Sequence, residues 1–343
     1  MKSVTSIFIS SVCLLLGLRT YAQAEQAKIE KKKVDSIKLF YLTEAAVRNP
    51  ILRQVVVSTE VTGNSNIESD LYGNRIFDGK INQSKTTALV TLPITSWSNN
   101  SITGSLLFEH HEYRLSDISI SNSTYQSNFR DSKFNRNTLG FSAGYQRIDS
   151  LFGRNVVYAA NINGVSGKPG SIQRFSFLGT VILNLKQTKT TNFSAGLVLN
   201  VDQSINFPVF PIVTYWHKFK NDMELNINLP QQAYLRKNFS SKLSGSLGTT
   251  ISISNSFFEY SNQEIVPKNF NYTTLSLQSG VGIEYRLAKK ILIGLNGGVQ
   301  SPLSARAFEV GENSKNYFIN NKIGSTPYVK LSVSLLPIFK SVF

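Results

Sequence analysis

From residue 52 to its end this chain is written in alternation. In NTLGFSAGYQ, Leu139, Phe141, Ala143 and Tyr145 fall on one side, with Thr138, Gly140, Ser142, Gly144 and Gln146 on the other. TNFSAGLVLNVD sets Phe193, Ala195, Leu197, Leu199 and Val201 against Ser194, Gly196, Asn200 and Asp202. MELNINL, KLSGSLGTTISIS and LSLQSGVGIEYRL repeat the pattern. Successive strand side chains point to opposite faces, so a period of two predicts strands with one apolar and one polar face. The composition of the polar face decides where those strands can live. A soluble sandwich or barrel carries Lys, Glu and Thr outside, whereas these positions hold Ser, Gly, Asn, Gln and Thr, and only 17% of the chain is charged. Small uncharged groups suit an interior where side chains converge, which leaves the apolar set facing lipid. In hydrocarbon every backbone N–H and C=O needs a partner within the protein, so the strands must close on themselves. The expected fold is all-β, a transmembrane antiparallel β-barrel.

The opening residues MKSVTSIFISSVCLLLGLRTYAQA combine Lys2, an apolar run from Ile7 to Leu18 and Ala22, the pattern of a signal peptide over 1–22. Its removal takes away Cys13, the only cysteine, so the mature chain forms no disulfide or thiolate metal site. Loss of Lys2 and Arg19 lowers the formal charge from +15 to +13. The basic residues are scattered through loops and turns, so no nucleic-acid surface is expected. Beyond the leader no apolar run approaches the ~18–20 residues that a spanning helix requires.

Residues 23–51 form a separate opening section. Its charge run and the spacing of Val34, Ile37 and Tyr41 leave two readings open, a solvated periplasmic lead-in or a short helix folded into the barrel mouth as a plug. Residues 52–343 are the barrel. Strand centres fall near 57, 90, 107, 141, 159, 179, 197, 214, 226, 236, 248, 278, 295 and 333, about fourteen strands with short connections alternating with longer ones at 64–84, 114–135, 165–171, 203–208, 258–269 and 301–326. That asymmetry matches short periplasmic turns and longer external loops, and an even count puts both ends in the periplasm. Residues 222–254, with Pro230, read as one hairpin or none, so twelve is the alternative count. Trp97, Tyr113, Tyr158, Trp216, Tyr285 and Tyr328 are candidates for interfacial girdles.

The chain ends on VKLSVSLLPIFKSVF, alternating almost to Phe343. With its leader and cysteine-free alternating strands, it resembles the Gram-negative outer-membrane β-barrels. That resemblance implies outer-membrane lipid as surroundings and the barrel-assembly machinery as a partner, reading the last strand through Phe343 and Phe339. Ser341 departs from that pattern and Pro337 interrupts the strand. FPVFPIVTYWHKF, MELNINLP and YLRKNF are similar to a barrel family classed as a domain of unknown function, which implies a fold and a location but no activity.

Chemistry-bearing residues are few. In EHHE, His110 and Glu112 lie on one strand face and Glu109 and His111 on the other, so the four cannot converge on one metal unaided. His217, between Trp216 and Lys218, reads as an interfacial or lumen packing residue. Arg236, Lys237, Lys242, Glu284 and Arg286 fall on lumen or rim positions, where charges either set solute preference or form ion pairs that stiffen the wall. Walker-type loops, paired-cysteine zinc motifs and nucleophile elbows are absent. No catalytic, metal or cofactor-binding residue is assigned. The expected role is a channel or transporter for a small or apolar solute. The alternatives are a structural or partner-binding barrel with a blocked lumen, and a membrane-embedded lipid hydrolase, for which a Ser–His pair would be the mark.

Overall fold

The structure is a computed structural model that describes residues 39–40, 42–121, 130–205, 208–260 and 265–338. The leader, most of the opening section, Phe339, Ser341 and Phe343 lie outside the described residues. Among those described, no helix is long and apolar enough to cross a membrane. The strands are β1 (Val55–Thr62), β2 (Ser65–Leu71), β3 (Asn74–Trp97), β4 (Asn100–Ile120), β5 (Ser132–Leu151), β6 (Arg154–Ser166), β7 (Arg174–Gln187) and β8 (Thr191–Val201). They continue as β9 (Val209–Lys218), β10 (Met223–Leu229), β11 (Gln232–Asn238), β12 (Leu243–Glu259), β13 (Asn269–Ala288), β14 (Ile291–Glu309), β15 (Tyr317–Ile323) and β16 (Thr326–Leu335).

All described pairings are antiparallel, and neighbours in sequence are neighbours in the sheet from β3 to β14. Closure comes from β1, which pairs on one side with β16, through Val55↔Leu335 and Glu60↔Lys330, and on the other with β3, through Glu60↔Lys85. β2 prolongs β1 beyond Gly63, and β15 leads into β16 across Gly324, so sixteen stretches make fourteen staves. Each of the fourteen expected strand centres lies on a different stave, and Pro230 sits in a real hairpin between β10 and β11, which excludes the count of twelve.

The start of β1 at Val55, the end of β16 at Leu335 and the short turns share one rim, here the inner rim. One such turn, Phe152–Gly153, holds φ of 53° and 70°, the left-handed pair that a two-residue hairpin needs. Over the lower barrel the apolar faces point outward as expected: Leu106, Leu247, Val281 and Leu331 are exposed, while Ser244, Ser276, Gln278 and Ser332 are buried.

Toward the outer rim two expectations are corrected. Segments 64–84 and 301–326 are largely strand, forming the β2–β3 hairpin, the long outer end of β14, and β15. Here the pattern is inverted. In β2 the apolar Ile67 and Leu71 are buried, while Glu68 and Asp70 pair with Arg75 at the surface. An apolar interior and a charged exterior are what water outside the wall requires, so the switch marks where the barrel leaves the hydrocarbon. Because the buried apolar residues here face inward, a search for lipid-facing strands passes over these segments.

The wall is uneven. The β5–β6 ladder ends at Leu139↔Ser166 and the β11–β12 ladder at Gln232↔Thr250, whereas β5 and β12 continue outward. Above the low wall formed by β6 to β11, β5 and β12 meet by side chains: Thr138 Oγ1 donates to Asn255 O at 2.8 Å, and the Arg136 guanidinium lies 4.4 Å from the Phe258 ring centroid. The outer section is therefore narrower than the lower barrel. Ile67, Ile76, Phe77, Tyr113, Tyr272 and Phe318 form its apolar core.

Candidate functional site: the lumen

At the inner rim, residues 42–48 form a helix followed by the 3₁₀ turn Pro50–Leu52. A helix leaves its last carbonyls unpaired and carries partial negative charge at that end. Here cationic side chains and one hydroxyl of the barrel answer it. Arg53 donates from Nε to Ala46 O at 3.2 Å and from Nη2 to Val47 O at 3.4 Å; Arg236 also donates to Val47 O, and the Tyr234 hydroxyl donates to Arg48 O. Arg53 is buried and reaches the wall, pairing with Glu284 at 2.6 Å and donating to Ser334 Oγ at 3.3 Å. Arg286 pairs with Glu44 at 3.3 Å, and Lys290 donates to Thr43 Oγ1 at 2.7 Å. Ala46 packs with Leu292 and Leu336.

This segment floors a chamber of about 250 Å³ within the lumen. Its walls come from inward positions of β11, β12, β13, β14 and β16, where Ser244, Ser246, Gly248, Gly280, Gly282 and Ser332 leave space that larger side chains would fill. At Gly280 the strands approach so closely that an added Cβ would sit 2.1 Å from Gly297 O, so only glycine is accommodated.

Above the chamber, polar side chains constrict the lumen to a cavity of about 20 Å³. Gln278 Nε2 donates to Glu60 Oε1 at 2.8 Å and to Gln300 Oε1 at 2.9 Å, Lys330 approaches Glu60 at 4.0 Å, and Lys85 donates to Ser252 Oγ at 3.4 Å. Opposite, on β6 to β10, the inward positions carry asparagines, and Asn184 Oδ1, Asn192 Oδ1, Asn200 Oδ1 and Asn226 Nδ2 have no protein hydrogen-bond partner. Higher still, Tyr113 Oη bonds Ser256 Oγ at 2.8 Å inside the apolar outer core. A further cavity of about 350 Å³ lies between the external loops and the wall, lined by Ile172, Phe175, Phe177, Phe257 and Phe308 among others.

The tetrad splits as strand geometry requires. Glu109 and His111 turn inward, 3.4 Å apart, while His110 bonds Asn137 and Glu112 pairs with Lys133. Among the described residues no three His, Cys, Asp or Glu side chains are grouped to hold a metal. His217 bonds Thr191 Oγ1 at 2.9 Å and packs between Tyr215 and Phe219. Arg236, Glu284 and Arg286 belong to the floor contacts, whereas Lys237 and Lys242 are exposed near the inner rim. The girdle expectation is corrected for three aromatics. Tyr113 and Tyr328 are buried inside, and Trp216 turns inward to donate to Glu224 at 3.0 Å; Trp97, Tyr158 and Tyr285 are exposed near the inner rim. Arg53, Arg48, Glu60, Lys85 and Lys330 were missed by sequence reasoning. For Glu60, Lys85 and Lys330 the signal is a single charge on a strand face otherwise made of small polar residues; Arg48 and Arg53 precede the first strand and carry no such signal.

No family model matches the chain, and no curated protein matches it, so the similarity of residues 207–239 to a barrel family gains no support. Solved structures with a similar shape exist. An outer membrane channel from Pseudomonas putida F1 aligns at 8% identity and TM-score 0.34, covering 82% of this chain and 96% of its own. The Pseudomonas putida toluene transporter TodX aligns at 9% identity and TM-score 0.32, covering 82% and 89%. The translocator domain of the autotransporter NalP from Neisseria meningitidis aligns at 12% identity and TM-score 0.31, covering 82% and 87%. At these values the likeness assigns no activity to this chain. What decides its class is its own architecture, a closed even-staved barrel with outward apolar residues and with the first and last staves starting and ending at one rim. The chain is an outer-membrane β-barrel. Its inner rim carries the short turns, which in barrels of this class face the periplasm.

Proposed function

We propose that this barrel passes a small solute across the outer membrane and that the segment ending at Arg53 is a plug at the periplasmic mouth. The observation that carries this reading is the chamber of about 250 Å³ inside the lumen, floored by a segment that side-chain hydrogen bonds and ion pairs tie to the wall. A purely structural barrel gains nothing from a hollow interior, since filling it with side chains adds dispersion contacts and burial. The unpaired amide atoms of Asn184, Asn192, Asn200 and Asn226 along β7 to β10 fit a wetted path beside the chamber. At the external side, the cavity with Phe175, Phe177, Phe257 and Phe308 accommodates an apolar portion of a solute.

One observation favours a second reading, a partner-binding barrel with a blocked lumen. The external section has its own packed core, built around Ile76 and Phe77, which narrows that end. Planar-bilayer recording separates the two. The intact chain is expected to conduct weakly, and variants that loosen Arg53 or the external core are expected to conduct more. Silence of both variants, with folding verified by heat-modifiable gel migration, would sink the transport reading.

A further inference from the structure

The charges around the chamber do not balance. Arg53 and Arg236 both reach Glu284, at 2.6 and 3.6 Å, so two guanidiniums share one carboxylate. The other cations lining the chamber have their own partners: Arg48 lies 3.5 Å from Glu224, and Lys330 lies 4.0 Å from Glu60. Arg236 is 6% exposed, donates to Val47 O and Ser244 Oγ, and its Nε–H has no acceptor. One carboxylate and the partial negative end of the helix offset the two guanidiniums only in part, so an anion in the space beside them would complete the balance.

We propose that the chamber binds a small oxyanion, the phosphate or carboxylate group of a solute, with Arg236 and Arg53 as its cationic side. This rests on the channel reading and names the class of solute that the chamber accepts. Guanidiniums suit the task because their planar donors match two oxygens of a phosphate or carboxylate at once. The serines, Asn296 and Tyr328 that also line the chamber supply hydrogen-bonding groups for hydroxyls or further oxygens, and its volume restricts the ligand to a small molecule. A lipid headgroup is disfavoured because the chamber lies inside the closed wall.

The chain carries its own reporter. Trp216 is one of two tryptophans and lies 5.0 Å from the guanidinium of Arg48, which lines the chamber. In Trp97→Phe protein, purified in neutral detergent, emission from Trp216 is followed while sodium chloride is exchanged for sodium phosphate, and separately for sodium succinate, at constant ionic strength. A saturable change with either probe is expected. Arg236→Met should weaken it at least tenfold, and Glu284→Gln, which removes the competing carboxylate, should tighten it several-fold. Both substitutions loosen contacts of the floor, so general disruption would weaken binding in both. That outcome, or no saturable change with either probe in folded Trp97→Phe protein, overturns the proposal. The channel reading fails separately: conductance without oxyanion binding removes the anion site alone, and oxyanion binding without conductance in the loosened variants removes transport alone.

Discussion

Arg53 Nη2 lies 2.6 Å from Glu284 Oε1, tying the last residue before the turn into β1 to an inward position of β13 on the barrel wall. The same guanidinium holds Ala46 O, Val47 O and Ser334 Oγ, so one side chain fastens the end of a helix to two staves. Arg53→Met removes all four contacts and is expected to cost about 3 kcal/mol of segment docking, the scale for losing one partner of a buried pair. Proteinase K cleavage between residues 39 and 54, with the barrel itself intact on gels, measures this. Cleavage no faster than in the parent chain would show that Arg53 does not hold the segment.

Lipid exposure predicts a depth-dependent cost for charge. Leu106 is 66% exposed, and its ladder partners Val90 and Phe141 share its outward face. Leu106→Arg is expected to destabilise the barrel by about 2–4 kcal/mol, the range for Arg on the lipid face near the bilayer midplane. Urea unfolding in lipid vesicles gives the value. A cost near zero would mean that this face meets water.

The external core makes a different prediction. Tyr113 is 2% exposed, stacks on Phe134 at 5.2 Å between centroids and bonds Ser256. Tyr113→Ala is expected to cost about 3–5 kcal/mol by opening a cavity. Tyr113→Phe loses the hydrogen bond alone, about 1 kcal/mol. In bilayers the alanine variant should conduct more than the phenylalanine variant, since only the former opens this core.

An acid-sensitive clamp joins two external loops. Asp202 is 2.7 Å from Arg174, and Ser204 donates to it from both N and Oγ. Burial pushes the Asp202 carboxyl up, but the Arg174 guanidinium and the Ser204 donors outweigh this and hold it below the usual carboxylate range. A carboxyl depressed in the folded state contributes stability that is complete above its unfolded value, about 3.9, and is lost as pH falls through the lower folded value. Hydrogen exchange at Ser204 and Ile205, corrected for intrinsic rates, should therefore be flat from pH 7 to 5 and accelerate only below about pH 4. Asp202→Asn should show fast exchange throughout.

The lower barrel was legible because lipid and lumen impose opposite chemistry on alternate residues. A run such as Leu243, Leu247, Ile251 and Ile253 has no other explanation once its partners are serine and glycine. β2 and β15 were not legible, because where the wall meets water on the outside the greasy side turns inward, and Ile67 or Phe318 no longer signals a stave. Of the chamber, Arg236 and Glu284 were visible as charges on inward positions, but Arg53 was not. It stands just before the first strand, and nothing in its neighbourhood tells that it folds back under residues more than two hundred positions away. Tyr113, Trp216 and Tyr328 were misplaced because an aromatic near a strand end suits an interface or an interior equally, and only the parity of its ladder decides.

The seam between β1 and β16 joins the two ends of the barrel, with Val55 opposite Leu335. Until β16 docks, β1 and β14 each keep an open edge able to capture foreign strands. Closure therefore waits on the stave farthest along the chain from β1, and a chain lacking Thr326–Leu335 would leave one edge each of β1 and β14 unpaired however well the remaining hairpins had formed.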